Sequence, residues 1–256
     1  MSAAEHDAAL DAARAHLDAK PHPRKPLGRL PSGFAETVAG LHVVAEHLLK
    51  PKRELETGNE IALGFAPGGF GTPRWERGEA SGEPGLARVE GLELVSESGG
   101  GEERAPLSDL GAAAELLGLD PGDGALTGVP ELDPEAAAAL ADWFALGTVA
   151  LAELIAGQAA VDPEPIRLWP EHFDVATVSG DEAAGQRANV GASPGDGDHP
   201  EPYLYVGPWD QGVSGEVWNA TAFVGAELGH ADLLAADDQL GAMGAFLTRR
   251  LAALRD

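Results

Sequence analysis

Residues 133–157, DPEAAAALADWFALGTVALAELIAG, leave a folding chain little choice. Asp133 is a good N-cap, Pro134 sits where its missing N–H costs nothing, and Gly157 lies just past the last helical residue. Leu140, Trp143, Phe144, Gly147, Leu151 and Leu154 recur at helical spacing and mark a buried face. A segment this apolar must be covered, either by lipid or by the rest of the protein. Asp142, Glu153 and the many alanines favour a core helix over a membrane span. The remaining chain therefore has to supply elements that wrap it.

Two further segments carry the same period. Phe34, Val38, Leu41, Ala45, Leu48 and Leu49 predict a helix over 33–50, ended by Pro51. Leu240, Met243, Leu247, Leu251 and Leu254 predict another over 238–255. A shorter helix is expected over 108–117, stopped by Gly118. Strands are expected at 59–66, within 88–97, at 172–178, 186–191 and 202–207, and near 217–225. Strands and helices come in blocks rather than in strict alternation. The expected fold class is therefore α+β, an antiparallel meander flanked by the three main helices. Residues 2–19 have the spacing of a capping box at Ser2 and Glu5 but only a thin apolar stripe, and 20–31 are rich in proline. Residues 1–32 are thus expected to be a peripheral helix and a proline-rich arm, and 33–256 a single α+β domain.

Charge and cysteine content narrow the function classes. The chain has no cysteine, which excludes disulfides, thiolate nucleophiles and cysteine-ligated metal centres. With 42 acidic and 17 basic residues its net charge is −25, which repels phosphate backbones and anionic lipid. Neither nucleic acid nor a membrane is expected as a partner. The N-terminal stretch lacks the basic and apolar regions of a signal peptide, so a soluble cytoplasmic protein is expected. Oligomeric state is not legible.

Several motifs lose their chemistry on inspection. GASPG (191–195) has the nucleophile-elbow pattern, but Pro194 has no N–H for an oxyanion and no helix follows. It reads as a proline–glycine turn. GGFGTP (68–73) lacks the Lys-Ser/Thr of a phosphate loop and reads as a glycine-rich turn. DGDHPE (196–201) departs from the calcium-loop pattern, since Glu201 stands where that loop needs glycine. HVVAEH (42–47) has neither zinc-helix spacing, which leaves His42 as an imidazole at the core edge and Glu46 as a partner for Lys50.

One constellation survives. Strand alternation places His172, Asp174, Ala176 and Val178 on one face, with Phe173, Val175 and Thr177 on the other. If Leu204 and Val206 face the core, Tyr203 and Tyr205 line the opposite face, and Asn189 can join them from the middle strand. Glu171, Asp196, Asp198, His199 and Glu201 fall at the rim. Such a surface suits a small polar ligand, with His172 as general base or ligand, Asp174 orienting it, and Tyr203 or Tyr205 donating a hydrogen bond. It equally suits a divalent metal held by His172, Asp174, Asp196, Asp198 and His199. The alternative is a non-catalytic structural or interaction protein in which these groups only satisfy turns and backbone. Whether the chain is an enzyme stays open between these readings.

LWPEHFDVA, GASPGDGDHPEPYLYVGPW and LHVVAEHLLKPKRELETGNEIALGFAPGGFGTP resemble a family of conserved hypothetical proteins from high-GC actinobacteria. The resemblance covers most of the chain after residue 30 and implies a source rather than a chemistry. A fainter similarity links the helix containing Leu41 and His42, and the later FDVA and tyrosine segments, to a second uncharacterised bacterial family.

Overall fold

The computed structural model describes residues 3–59, 63–120, 126, 131–197 and 199–255. It is an α+β fold with two antiparallel five-stranded meanders rather than one. The first comprises β1 (Gly64–Ala66), β2 (Gly69–Gly71), β3 (Gly85–Glu90), β4 (Glu93–Ser98) and β5 (Gly101–Pro106), in chain order. The second comprises β6 (Arg167–Trp169), β7 (Asp174–Ser179), β8 (Ala188–Ser193), β9 (Tyr203–Pro208) and β10 (Ala226–Gly229), again in chain order. An antiparallel bridge, Leu63 to Leu168, joins the two sheets at their inner edges.

The central helix α5 (Pro134–Ala156) packs on β1 and β2 of the first sheet and on β7 and β8 of the second. Its N-cap is Asp133, whose Oδ1 accepts from the Ala136 N–H at 2.8 Å. By length and composition it is able to cross a membrane, but here its apolar residues are largely buried by the two sheets and three other helices. One of its contacts depends on the absence of a side chain. A Cβ on Gly147 would lie 2.7 Å from Cβ of Ala192, so glycine lets the helix settle directly onto β8.

Two short helices, α4 (Leu110–Leu116) and α6 (His230–Ala235), flank the longer ones, and the helices around α5 depart from expectation in two ways. First, α1 (Ala3–Asp18) is not peripheral, because Ala13 and Leu17 are buried in the core and the helix packs on α5. Small residues along its inner side permit close approach. At its end His16 Nε2 and Lys20 Nζ both reach Asp142 Oδ1, at 2.6 and 2.5 Å. The proline-rich arm is held as well. Leu27 N–H donates to Gln239 Oε1 and Leu27 O accepts from Gln239 Nε2 at the start of α7 (Gln239–Ala253). Second, Pro51 does not end the helix that begins at Phe34. The chain runs through α2 (Phe34–Val44), a π-helical turn (Ala45–Leu49) and α3 (Lys50–Thr57). Proline lacks an N–H and crowds the carbonyl of the preceding turn, and the widened turn just before it relieves both.

Among the strands, β5 has no apolar alternation and escaped the sequence reading. It is an edge strand whose Arg104 pairs with Glu93, Glu90 and Glu102, a charged edge that discourages further strand addition. GGFGTP does not form merely a turn, since Gly69–Gly71 is β2 itself. A Cβ at Gly69 or Gly71 would meet the carbonyl oxygen of Val89 or Ala87 at 2.6 Å, so these glycines serve close strand approach. The strand expected near 217–225 lies instead at β10, and part of the expected 59–66 strand falls outside the described residues.

A cleft built around a buried carboxylate

Strand register in the second sheet divides its residues cleanly. Leu168, Val175, Val190, Ala192, Leu204, Val206 and Ala226 are buried on the face toward α5 and α7. Trp169, Asp174, Ala176, Val178, Asn189, Gly191, Tyr203 and Tyr205 lie on the other face. The face assignment expected from Leu204 and Val206 is the one observed.

His172 reaches this face by a different route. It lies not in a strand but in a tight turn, closed by Phe173 N–H donating to Trp169 O at 2.7 Å. Phe173 has φ +53°, a conformation costly for an aromatic residue. Packing fixes it there, since its ring is edge-on to Phe70 and Phe144 and stacked on His42. His42 donates from Nε2 to Pro170 O at 2.8 Å, and Lys50 Nζ donates to Glu171 Oε1 at 2.7 Å, so the helix 34–57 holds the whole turn. Burial pushes the Glu171 pKa up, but the Lys50 hydrogen bond and charge outweigh it and hold the group below its usual range.

Trp169, His172, Asp174, Ala176, Val178, Asn189 and Tyr205 line a cleft of about 190 Å³. Asp174 is only 5% exposed. Its Oδ2 accepts a hydrogen bond from the Tyr205 hydroxyl, and its Oδ1 is buried with no hydrogen-bond partner among the described residues. Burial raises the Asp174 pKa, and the Tyr205 hydrogen bond and the nearby His172 and His42 only partly oppose that rise. Burial and the Asp174 charge likewise push the Tyr205 hydroxyl well above its ordinary value.

The contact that completes this pair crosses a strand. Tyr205 on β9 reaches Asp174 on β7 by lying over β8, directly above Gly191, its register partner. A Cβ at Gly191 would come within 2.6 Å of the Tyr205 ring and hydroxyl. Gly191 is thus a site residue with no functional group. At the other end, Asn189 Oδ1 accepts from Trp209 Nε1 at 2.9 Å, which fixes the amide orientation and leaves Nδ2 as the donor. Trp169 forms a wall, with the Arg167 guanidinium 5.7 Å from its ring centroid.

A second buried carboxylate shows what a purely structural site looks like in this protein. Glu56 is 1% exposed, yet it accepts from Lys52 Nζ at 2.7 Å and from both the Ser81 N–H and hydroxyl at 3.0 Å. Burial alone would raise its pKa, but these donors bring it below the usual value. Among the described residues Tyr205 is the one side-chain donor to Asp174, where Glu56 has three donors, and the pKa of Asp174 moves the opposite way. A larger groove of about 1070 Å³ lies by the first sheet, beside Trp75 and Arg88. Arg88 there is already paired with Glu97, Glu90 and Glu102, which makes that groove the weaker candidate.

The other expected site residues separate from the cleft. Tyr203 lies next along β9, its ring 4.2 Å from His199 and 6.5 Å from Phe223 by centroids. Asp196 and His199 close their own loop, Asp196 Oδ1 accepting from the His199 N–H at 2.8 Å. Ser193 Oγ accepts from the Gly195 N–H at 3.1 Å, consistent with a turn rather than a nucleophile. Glu201 is exposed on the same loop, and Asp198 lies outside the described residues. Among the described residues no group of three or more His, Asp or Glu side chains is assembled to hold a metal ion. The set His172, Asp174, Asp196 and His199 therefore does not form the expected metal centre. Trp169 and Gly191 were missed as site residues. The alternation in IRLW was the available signal for Trp169, and nothing local marked Gly191.

His172 is exposed and makes no hydrogen bond among the described residues. Replacing it with alanine is expected to change unfolding free energy by no more than about 0.5 kcal/mol. A loss of more than about 1 kcal/mol in urea denaturation would show that it holds the turn together.

These features define an α+β protein with a cleft built on a buried, half-satisfied carboxylate. Comparison with protein-family models, with curated proteins and with solved structures gave no match in any of the three.

Proposed function

We propose that the protein binds a small polar ligand in the cleft between β6 and β9, with Asp174 as the anchoring group. The observation that carries this reading is the unpartnered Oδ1 of Asp174. A buried carboxylate oxygen without a donor costs about 1–3 kcal/mol or more, and the same protein satisfies Glu56 fully. A ligand donor at Oδ1 removes that cost. The volume and the mix of aromatic wall, carboxylate and amide suit a small molecule rather than a macromolecule. His172 at the rim is the group best placed to exchange protons with such a ligand, which leaves catalysis open to this site. Its source in the actinobacteria remains part of the same proposal, resting on the sequence resemblance alone.

The test is a screen of small polar fragments by amide NMR, run in parallel on the parent protein and on Asp174→Asn. Fragments that shift cleft resonances in the parent and not in the variant support the reading. If no fragment shifts cleft resonances, the reading fails and the polar entrance is structural.

The Asp174 carboxyl also makes a prediction about stability. Because its folded pKa is raised, the folded protein retains a proton that the unfolded chain releases. Stability from this group is therefore full below the ordinary aspartate pKa of about 4, and it falls as pH rises through the elevated folded value. Asp174→Asn lacks this slope. Its stability relative to the parent should improve steadily as pH increases across that window, measured by urea unfolding at a series of pH values. Parallel pH profiles would refute the assignment.

A further inference from the structure

Resting on the ligand-binding reading, we propose that the cleft selects a compact, extended organic amine, taking its ammonium at Asp174 and an acceptor oxygen at Asn189. The two ends of the cleft make opposite demands. Asp174 brings an oxygen without a donor, and the Tyr205 hydroxyl, which spends its proton on Oδ2, retains lone pairs beside it. An ammonium has three donors and no acceptor, so it can serve both oxygens. Its charge also answers the carboxylate, which has no Lys or Arg partner among the described residues, whereas Glu56, Glu97 and Glu171 all do. With a net charge of −25, the surrounding field concentrates cations over anions.

At the opposite end Asn189 is oriented by Trp209 so that its Nδ2 is the group on offer. That end calls for an acceptor. Asn189 pairs with Val178, four residues along β7 from Asp174, which places the ends about 13 Å apart at the β rise. Subtracting two hydrogen bonds leaves about 7 Å between the ligand's nitrogen and oxygen, roughly the reach of a five-carbon chain. The cleft volume of about 190 Å³ is that of about six waters, which matches a ligand of this size. Trp169 and Ala176 give the intervening carbons an apolar bed.

The probes are 5-amino-1-pentanol, pentylamine and 1,5-pentanediol, titrated into the full chain at pH 8 and followed by amide NMR. The expected order of affinity is aminopentanol, then pentylamine, then the diol. The diol should fall at least about tenfold below pentylamine, because it loses a charge-assisted hydrogen bond. Asp174→Asn should erase the advantage of the amines, and Asn189→Ala should bring aminopentanol down to pentylamine without changing pentylamine itself. A diol that binds in the cleft as tightly as the amine would overturn the cation assignment and leave the broader ligand reading standing. Absence of saturable cleft shifts with all three would overturn this proposal, and the fragment screen then decides the broader reading. The comparison of probes is made on the parent protein, so it holds even if a variant fails to fold.

Discussion

Trp143→Ala is expected to lower the unfolding free energy by about 3–5 kcal/mol. Trp143 is 1% exposed and sits near the middle of α5, its ring tilted against His230 and lining a small cavity with Leu27, Leu30 and Pro202. Alanine there leaves a large cavity in a core that cannot collapse, because α5 is gripped from opposite sides. A second substitution separates volume from polarity. The Trp143 Nε1 is buried with no partner among the described residues, so Trp143→Phe removes an unsatisfied donor along with part of the ring. Its cost should therefore be well below that of alanine, and below what the lost volume alone predicts. Urea denaturation of the two variants checks both statements, and a near-zero change for alanine would show that this face is not core.

Gly191→Ala should cost about 2–4 kcal/mol, a large effect for one methyl group on the face of the sheet away from α5. The added Cβ would fall 2.6 Å from the Tyr205 ring, far inside any real contact. Tyr205 must then lift away from β8, and Asp174 loses the Tyr205 hydrogen bond. The cost is thus overpacking plus a buried carboxyl stripped of its side-chain donor. Part of it should vanish in the Asp174→Asn background, where no charge is left behind, and a double-mutant cycle measures that coupling. Additive effects would mean that the glycine serves backbone packing only.

The helices were largely legible because their information is local. A period of 3.6, an N-cap and a terminal glycine are all contained within the segment they describe, as in Asp133, Pro134 and the face from Leu140 to Leu154. The failures have equally specific causes. Pro51 breaks an ordinary α-helix, but a π-helical turn over Ala45–Leu49 carries the chain through it. The alanines of α1 look too thin a stripe for a core helix, yet smallness is what allows that helix to lie close against α5. β5 carries mostly charge, because its outward residues face a ladder of arginines and glutamates on neighbouring strands rather than the core.

The site divides the same way. Alternation in LWPEHFDVATV and PYLYV was enough to put Asp174 and Tyr205 on one face, since side-chain direction in a strand is set by the backbone itself, and the strand between them could bring Asn189 to it. His172 reached the correct side through a turn with Phe173 at positive φ, held by rings from three distant segments. The class of fold, the central helix and the sidedness of the second sheet are all consequences of short-range periodicity. Long-range packing is what puts α1 in the core, keeps Asp196 and His199 apart from the cleft, and makes Asp174 and Glu56 differ. Those outcomes depend on which donors arrive from residues far along the chain. Ser81 reaches Glu56 and Tyr205 passes over Gly191, and no local pattern encodes either meeting.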